Sequence, residues 1–187
     1  MINAKKLCFC FLLATMAFNA DLFGQDGQGK FRFGPELQAY PAGVIPGLRF
    51  SYNLSEHSDL NFRIGLNIAD REDNGEHDNE EGEGPGFSAG WRHYASADQT
   101  RWFWGIRADV WFLEIDWEDT VDRIAAGTTD ITVFQPTAEA GYRFGSGDGW
   151  SFTPSIALGY EINVETDGED VGEGAILLGG ISLTYRF

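Results

Sequence analysis

Cysteine is nearly missing from this 187-residue chain, and its two copies, Cys8 and Cys10, both fall within the first ten residues. Basic residues are scarce as well. Thirteen Lys+Arg stand against 29 Asp+Glu, which gives a formal net charge of −16 and a pI near 4.3. A nucleic-acid partner is excluded, because a phosphate backbone must be met by clustered Lys and Arg. No apolar stretch reaches the roughly 18 residues that a membrane-spanning helix needs. Helical spacing of apolar residues never persists through an eleven-residue window, so an α-helical domain is excluded too. The mean hydropathy of −0.25 does not exclude membrane-spanning strands, in which polar and apolar residues alternate and average away. An apolar share of 43% with 14% aromatics is too rich for a disordered acidic chain, and the length suits one domain.

The first 24 residues have the layout of a secretory signal peptide. Lys5 and Lys6 precede the twelve-residue apolar segment Leu7–Phe18, and the small residues Ala20 and Gly24 follow. Cleavage is expected before Gln25, leaving residues 25–187 as a single domain. Both cysteines leave with the leader, so the exported domain is expected to hold no thiol, disulfide or cysteine-bound metal.

From Lys30 onward the apolar pattern has period two. Phe31, Phe33, Pro35, Leu37 and Ala39 alternate with Arg32, Gly34, Glu36 and Gln38. The same alternation recurs at Leu48–Leu54, Leu60–Ile68, Phe87–Arg92, Trp102–Trp117, Phe134–Phe144, Trp150–Asn163 and Leu177–Phe187. This predicts an all-β chain of eight strands, an even number that permits an antiparallel up-and-down transmembrane barrel with both termini at one end. Near Trp111 the apolar set shifts to Leu113, Ile115 and Trp117, for which a β-bulge is the expectation. Pro35, Pro136 and Pro154 lie inside strands, and local bulges are expected there as well. Three connections are short: 55–59, 96–100 and 145–149. Three are long and acidic, over 70–86, 118–130 and 165–174, while 40–47 is brief.

An eight-stranded barrel has an interior only wide enough for side chains. The apolar face, with four or five bulky residues on nearly every strand, would overfill it, so that face is expected to point outward. The interior then receives the polar face, a network of Arg32, Glu36, Arg49, Arg63, Arg92, Arg107, Asp109, Glu139, Arg143, Glu161 and Arg186. Within it, Glu36 with Arg49 and Glu139 with Arg107 are the expected couples. Aromatics gather near the termini and the short turns, as in a membrane-interface belt. The chain closes on Ile181-Ser182-Leu183-Thr184-Tyr185-Arg186-Phe187, which alternates and stops at an aromatic residue.

With that ending the sequence resembles the eight-stranded outer-membrane barrels of the OmpA and OmpX type, barrel domain only, over the whole mature chain. The resemblance implies a Gram-negative outer-membrane location among lipids and lipopolysaccharide, and insertion by a barrel assembly machinery that reads Tyr185 and Phe187. It also implies a monomer and no cofactor. Some small outer-membrane barrels are lipid-modifying enzymes, so the places of the three histidines matter. His57 and His93 fall at the short-turn rim, and His77 has no sequence-near nucleophile. No catalytic residue is expected. Between Asp70 and Glu83 lie eight acids, of which Asp70, Glu72, Asn74, Gly75 and Glu81 match calcium-loop positions without flanking helices. A solvated loop that attracts divalent cations weakly is the simpler expectation. The functional expectation is a non-catalytic structural or surface-interaction barrel working through acidic outer loops. A narrow passive channel is the alternative, and an enzyme comes third. Deleting Phe187 removes the last outward aromatic, so less protein should reach the outer membrane in a fractionation assay.

Overall fold

The computed structural model describes residues 29–71, 76–120, 125–146 and 148–187; the expected leader, with Cys8 and Cys10, lies outside them. Eight strands follow in order: β1 (Phe31–Tyr40), β2 (Gly43–Ser55), β3 (Ser58–Asp70), β4 (Asn79–Tyr94), β5 (Arg101–Asp119), β6 (Ala125–Gly145), β7 (Gly149–Asp167) and β8 (Gly174–Arg186). Each pairs antiparallel with the next, and β1 pairs with β8 to close the barrel. Closure leaves no strand edge, which matters because hydrocarbon offers no partner to a free N–H or C=O.

The registers fix the slant of the strands. From Arg186 the paired residues run through Arg32, Ser51, Asn61, Gly90, Arg107, Thr137 and Gly159 and return to β8 at Ile176. One circuit therefore climbs ten residues of β8. For eight strands that shear corresponds to a tilt of about 40° and a backbone radius of about 8 Å, a bore that side chains fill.

β5 shows how the chain divides between lipid and water. Its alternation is unbroken from Phe103 to Trp117, and its ladders with β4 and β6 keep one register throughout. The bulge expected near Trp111 is therefore absent; what changes is chemistry, not parity. Up to Phe112 the outward residues are apolar (Trp102, Trp104, Ile106, Ala108, Val110, Phe112), and beyond it they are Glu114, Asp116 and Glu118. The inward set inverts at nearly the same place, from Arg107 and Asp109 to Trp111, Leu113, Ile115 and Trp117. A wall facing hydrocarbon needs an apolar exterior, whereas one standing in water needs an apolar interior. At the tilt above, the outward run Trp102–Phe112 spans about 25 Å, the height of a membrane-facing apolar band.

The stretches read as long acidic loops are for this reason partly strand. β4 begins at Asn79 rather than Phe87, β6 begins at Ala125, and the β1–β2 hairpin turns on Pro41-Ala42 alone. The prolines are also settled differently. Beside Pro35, Pro46, Pro85, Pro136 and Pro154 the ladder toward one neighbour skips two residues and resumes in the same register. Each proline lacks only its own N–H, so one rung opens and no residue is inserted. The register shifts lie elsewhere, at Leu54 on β2 and Val164 on β7.

Above the membrane level a dry core fills the barrel: Ile45, Trp111, Leu113, Ile115, Trp117, Ile131, Val133, Ala157, Val171, Ile176 and Leu178. Glycines make room for its largest members. Gly86 faces Trp111 and Gly127 faces Trp117 in register, and a Cβ on either glycine would collide with the indole. Outside, at the short-turn rim, aromatic rings touch in sequence around the wall: Trp91–Trp104 at 5.1 Å, Trp102–Tyr142 at 5.2 Å and Trp150–Tyr185 at 5.3 Å between centroids. Trp111→Ala should cost about 3–5 kcal/mol. It would appear as a lower temperature for converting the compact band to the unfolded band on a heat-modifiability gel.

Candidate functional site

Alternation sends every second side chain of a strand into the bore, so the site is assembled from alternate residues of all eight strands. Near the short-turn rim, Tyr94 Oη donates to Asp59 Oδ2 at 2.7 Å, and Arg143 Nη2 donates to the same oxygen at 3.3 Å. The Arg143 guanidinium lies 4.3 Å from the Tyr94 ring centre, and its Nη1 donates to the Gln99 carbonyl at 3.1 Å. Gln99, at φ +55°, tucks its amide under the mouth onto the carbonyls of Ser55 and Ser58. The turn carrying it is pinned by Asp98, whose carboxyl is lowered to about 2 by hydrogen bonds from Ser96 and then Thr100. Arg32 is fully buried at this level opposite Arg186, and Arg186 Nε donates to the Gly29 carbonyl at 2.6 Å.

One connected chain of charges crosses the middle of the lumen. Arg92 grips Glu139 with two prongs, Nε to Oε1 at 2.6 Å and Nη2 to Oε2 at 2.9 Å. Arg107 Nη1 stands 3.7 Å from Glu139, while its Nε donates to Asp109 at 2.8 Å. Arg63 bridges Asp109 at 2.8 Å and Glu36 at 3.3 Å, with Nε on Ser88. Arg49 Nε is bonded to Glu36, and its Nη1 donates to Asn61 Oδ1 at 2.7 Å. Glu36 also accepts from Gln38 at 3.0 Å. Thus Glu36 and Arg49 meet directly, whereas the closest partner of Glu139 is Arg92, with Arg107 farther off.

Glu161 takes no part in that chain. It sits at the outer mouth, where Arg71 reaches it at 3.2 Å, Glu80 at 3.4 Å and the Gly172 carbonyl. Glu80, fully buried, accepts the backbone N–H groups of Glu76, His77 and Gly172 at 2.8–3.3 Å and so ties the β3–β4 and β7–β8 connections together. His77 stacks on Trp117 at 4.1 Å, with Nδ1 3.0 Å from Asp119 and Nε2 3.0 Å from the Asp170 carbonyl. Sequence reasoning passed over Arg71, Glu80 and Asp59, and it set Asn61 on the polar face of its strand without a role in the network. The parity of β3 would have found Asp59 had the strand been started at Ser58. Glu80 was hidden in an acidic run whose strand character is invisible without its partner β5. Of the calcium-loop residues, Glu72, Asn74 and Gly75 lie outside the described residues, and Asp70 and Glu81 face each other across β3 and β4. Of the assembly-signal pair, Tyr185 stands on the outer wall, its ring 5.0 Å from that of Phe187.

An apolar exterior band, an aromatic girdle at one rim, a charged and filled lumen and full closure together define an eight-stranded outer-membrane β-barrel. The fold is shared with the N-terminal barrel domain of Pseudomonas aeruginosa OprF (13% identity, 86% of this chain and 100% of that one, TM-score 0.51). Neisserial surface protein A (7%, 87% and 100%, 0.53) and Ail of Yersinia pestis (9%, 86% and 100%, 0.50) share it too. The chain belongs to the autotransporter beta-domain family, whose pattern matches residues 43–178. No curated protein sequence matches it.

Removing the charge of Glu139 leaves Arg92 and Arg107 buried beside an uncharged side chain. Glu139→Gln should therefore destabilise by about 3–5 kcal/mol, the cost of breaking a buried pair. Arg92→Met together with Glu139→Leu, which removes both partners, should cost less. Urea or heat titrations followed by the gel shift check both.

Proposed function

We propose that the protein is a non-catalytic, monomeric outer-membrane barrel that acts through its acidic outer surface rather than by conduction, catalysis or threading of a polypeptide. The observation that carries this reading is the arrangement of acids just above the apolar band. Glu83, Glu114, Asp130 and Asp167 stand directly opposite one another across β4, β5, β6 and β7, and Asp70, Glu81 and Asp116 form a second such row. Like charges facing each other across a ladder are destabilising, so the rows carry an intrinsic cost that cations of the medium would offset. A weak affinity for divalent cations, and through them for lipopolysaccharide phosphates, follows from that charge.

The other readings find less support. A bore of about 8 Å backbone radius, crossed by the arginine network and topped by an apolar core, has no room for a hydrated ion path or a polypeptide. The ring nitrogens of His77 meet Asp119 and a backbone carbonyl rather than a nucleophile. His57 Nδ1 meets the Tyr94 carbonyl, and His93 lies among Trp91 and Trp104 outside the wall. Export by a leader cleaved before Gln25, and insertion guided by Tyr185 and Phe187, complete the proposal.

Planar bilayers containing the purified protein should stay electrically silent, and steady unitary conductance would support the channel instead. Proteoliposomes displaying the outer face should capture fluorescent polylysine. Neutralising Glu83, Glu114 and Asp130 together should abolish most of that capture while leaving the gel shift intact; unchanged capture would refute the acidic surface as the working face.

A further inference from the structure

At the outer end of the barrel the β3–β4 connection, the end of β5 and the β7–β8 connection meet over the apolar core, and His77 is where they meet. Its side chain is 6% exposed and lies flat on the Trp117 indole, ring centres 4.1 Å apart and planes 14° from parallel. That indole is a fixed platform. Its Nε1 donates to Thr129 Oγ1 at 3.2 Å, and Gly127 clears the space the ring fills. Thr129 Oγ1 donates in turn to the Glu169 carbonyl at 3.1 Å, so β6 holds both the platform and the β7–β8 connection.

Both ring nitrogens face acceptors. Nδ1 stands 3.0 Å from Asp119 Oδ1 on β5, and Nε2 stands 3.0 Å from the Asp170 carbonyl in the β7–β8 connection. A neutral imidazole donates through one nitrogen and accepts through the other, so it can satisfy only one of these oxygens; the imidazolium donates to both. Burial of the ring keeps water from standing in for a lost partner. The surroundings favour the cation as well. Glu76, Asp78 and Glu80 lie on its own side of the mouth, Asp119 on β5, and Glu169 and Asp170 in the β7–β8 connection. The cation of this region, Arg71, is spent on Glu80 and Glu161. The Trp117 face adds a further attraction for positive charge.

We propose that His77 is a proton-operated clasp of the outer mouth: as the imidazolium it ties the β7–β8 connection to β5 through the β3–β4 connection, and as the neutral ring it drops one of the two ties. The sign follows from linkage. The closed clasp holds the extra proton, so its contribution is present at low pH and is lost as pH rises through the titration of the ring, which for histidine falls in the physiological range. Release loosens the mouth without unfolding it. Glu80 still accepts the Gly172 N–H, and Val171 stays in the apolar core beneath. The strands below keep their ladders, so the response is confined to the surface that faces the medium.

The test uses the whole chain folded in detergent with EDTA present, and reads amide hydrogen exchange over residues 76–80 and 168–173, corrected for the intrinsic pH dependence of exchange. Protection should be about tenfold greater at about pH 5.5 than at about pH 8, the effect of one charge-assisted hydrogen bond on local opening. The NMR signals of the His77 ring nitrogens should titrate with the same midpoint as the protection. His77→Gln should show equal protection at both pH values. Asp119→Asn separates the clasp from a packing role, because its amide can turn either oxygen or NH2 toward Nδ1 and so serve both forms of the ring; protection should stay high throughout. Glu161→Gln should keep the response of the unmodified protein, since Glu161 is bonded to Arg71 and not to His77. A ring midpoint that differs from the protection midpoint, an Asp119→Asn protein with the full pH response, or a response lost with Glu161→Gln would each overturn the clasp. So would protection indifferent to pH in the unmodified protein, a result that decides the matter even if a variant fails to fold.

Discussion

Hydrocarbon accepts no hydrogen bonds, and every peptide group of a membrane-spanning segment must therefore find its partner within the protein. The β1–β8 ladder is the consequence on which the rest of this structure depends. Without it β1 and β8 would each present an open edge to lipid; with it the strands are held at one shear, and that shear decides which inward side chains share a level. The five in-strand prolines show how much slack the constraint allows. Each opens one rung toward one neighbour, faces the lipid with an apolar ring, and leaves the register untouched. A residue inserted at each would have shifted the levels at which the arginines meet their acids.

Polarity inverts along the chain without any change of backbone. On β5 the outward residues pass from Phe112 to Glu114 while the inward ones pass from Asp109 to Trp111. Below that point the barrel is a membrane protein turned inside out; above it, it is an ordinary β-protein with a dry core and a charged surface. The same strand thus serves two solvents, and the crossover marks where one gives way to the other. The core above also bounds the charged compartment below on its outer side.

Arginine suits that compartment because its planar fork can serve several acceptors at once. Arg63 alone touches Ser88, Glu36 and Asp109, joining β1, β3, β4 and β5 through one side chain. Cross-links of this kind tie together strands that are not neighbours in the sheet. They give the barrel stiffness that the ladder, which joins only adjacent strands, does not provide.

Strand number, facing and architecture were legible in the sequence, since alternation with period two is a local property and a barrel of this size leaves only one place for the bulky face. Phe31 to Ala39 against Arg32 to Gln38 is enough to orient β1. The extension of β4 back to Asn79 was not legible, nor was the unbroken parity of β5, because inward apolar and outward acidic residues read as a bulge or a loop until the crossover from lipid to water is located. Nor could the partner of Glu139 be chosen from sequence. Arg92 and Arg107 lie on β4 and β5, and which one reaches β6 with two prongs depends on strand tilt and the free space in the bore. Facing is decided residue by residue along one strand, whereas level is the accumulated offset of eight ladders and exists only once the barrel has closed.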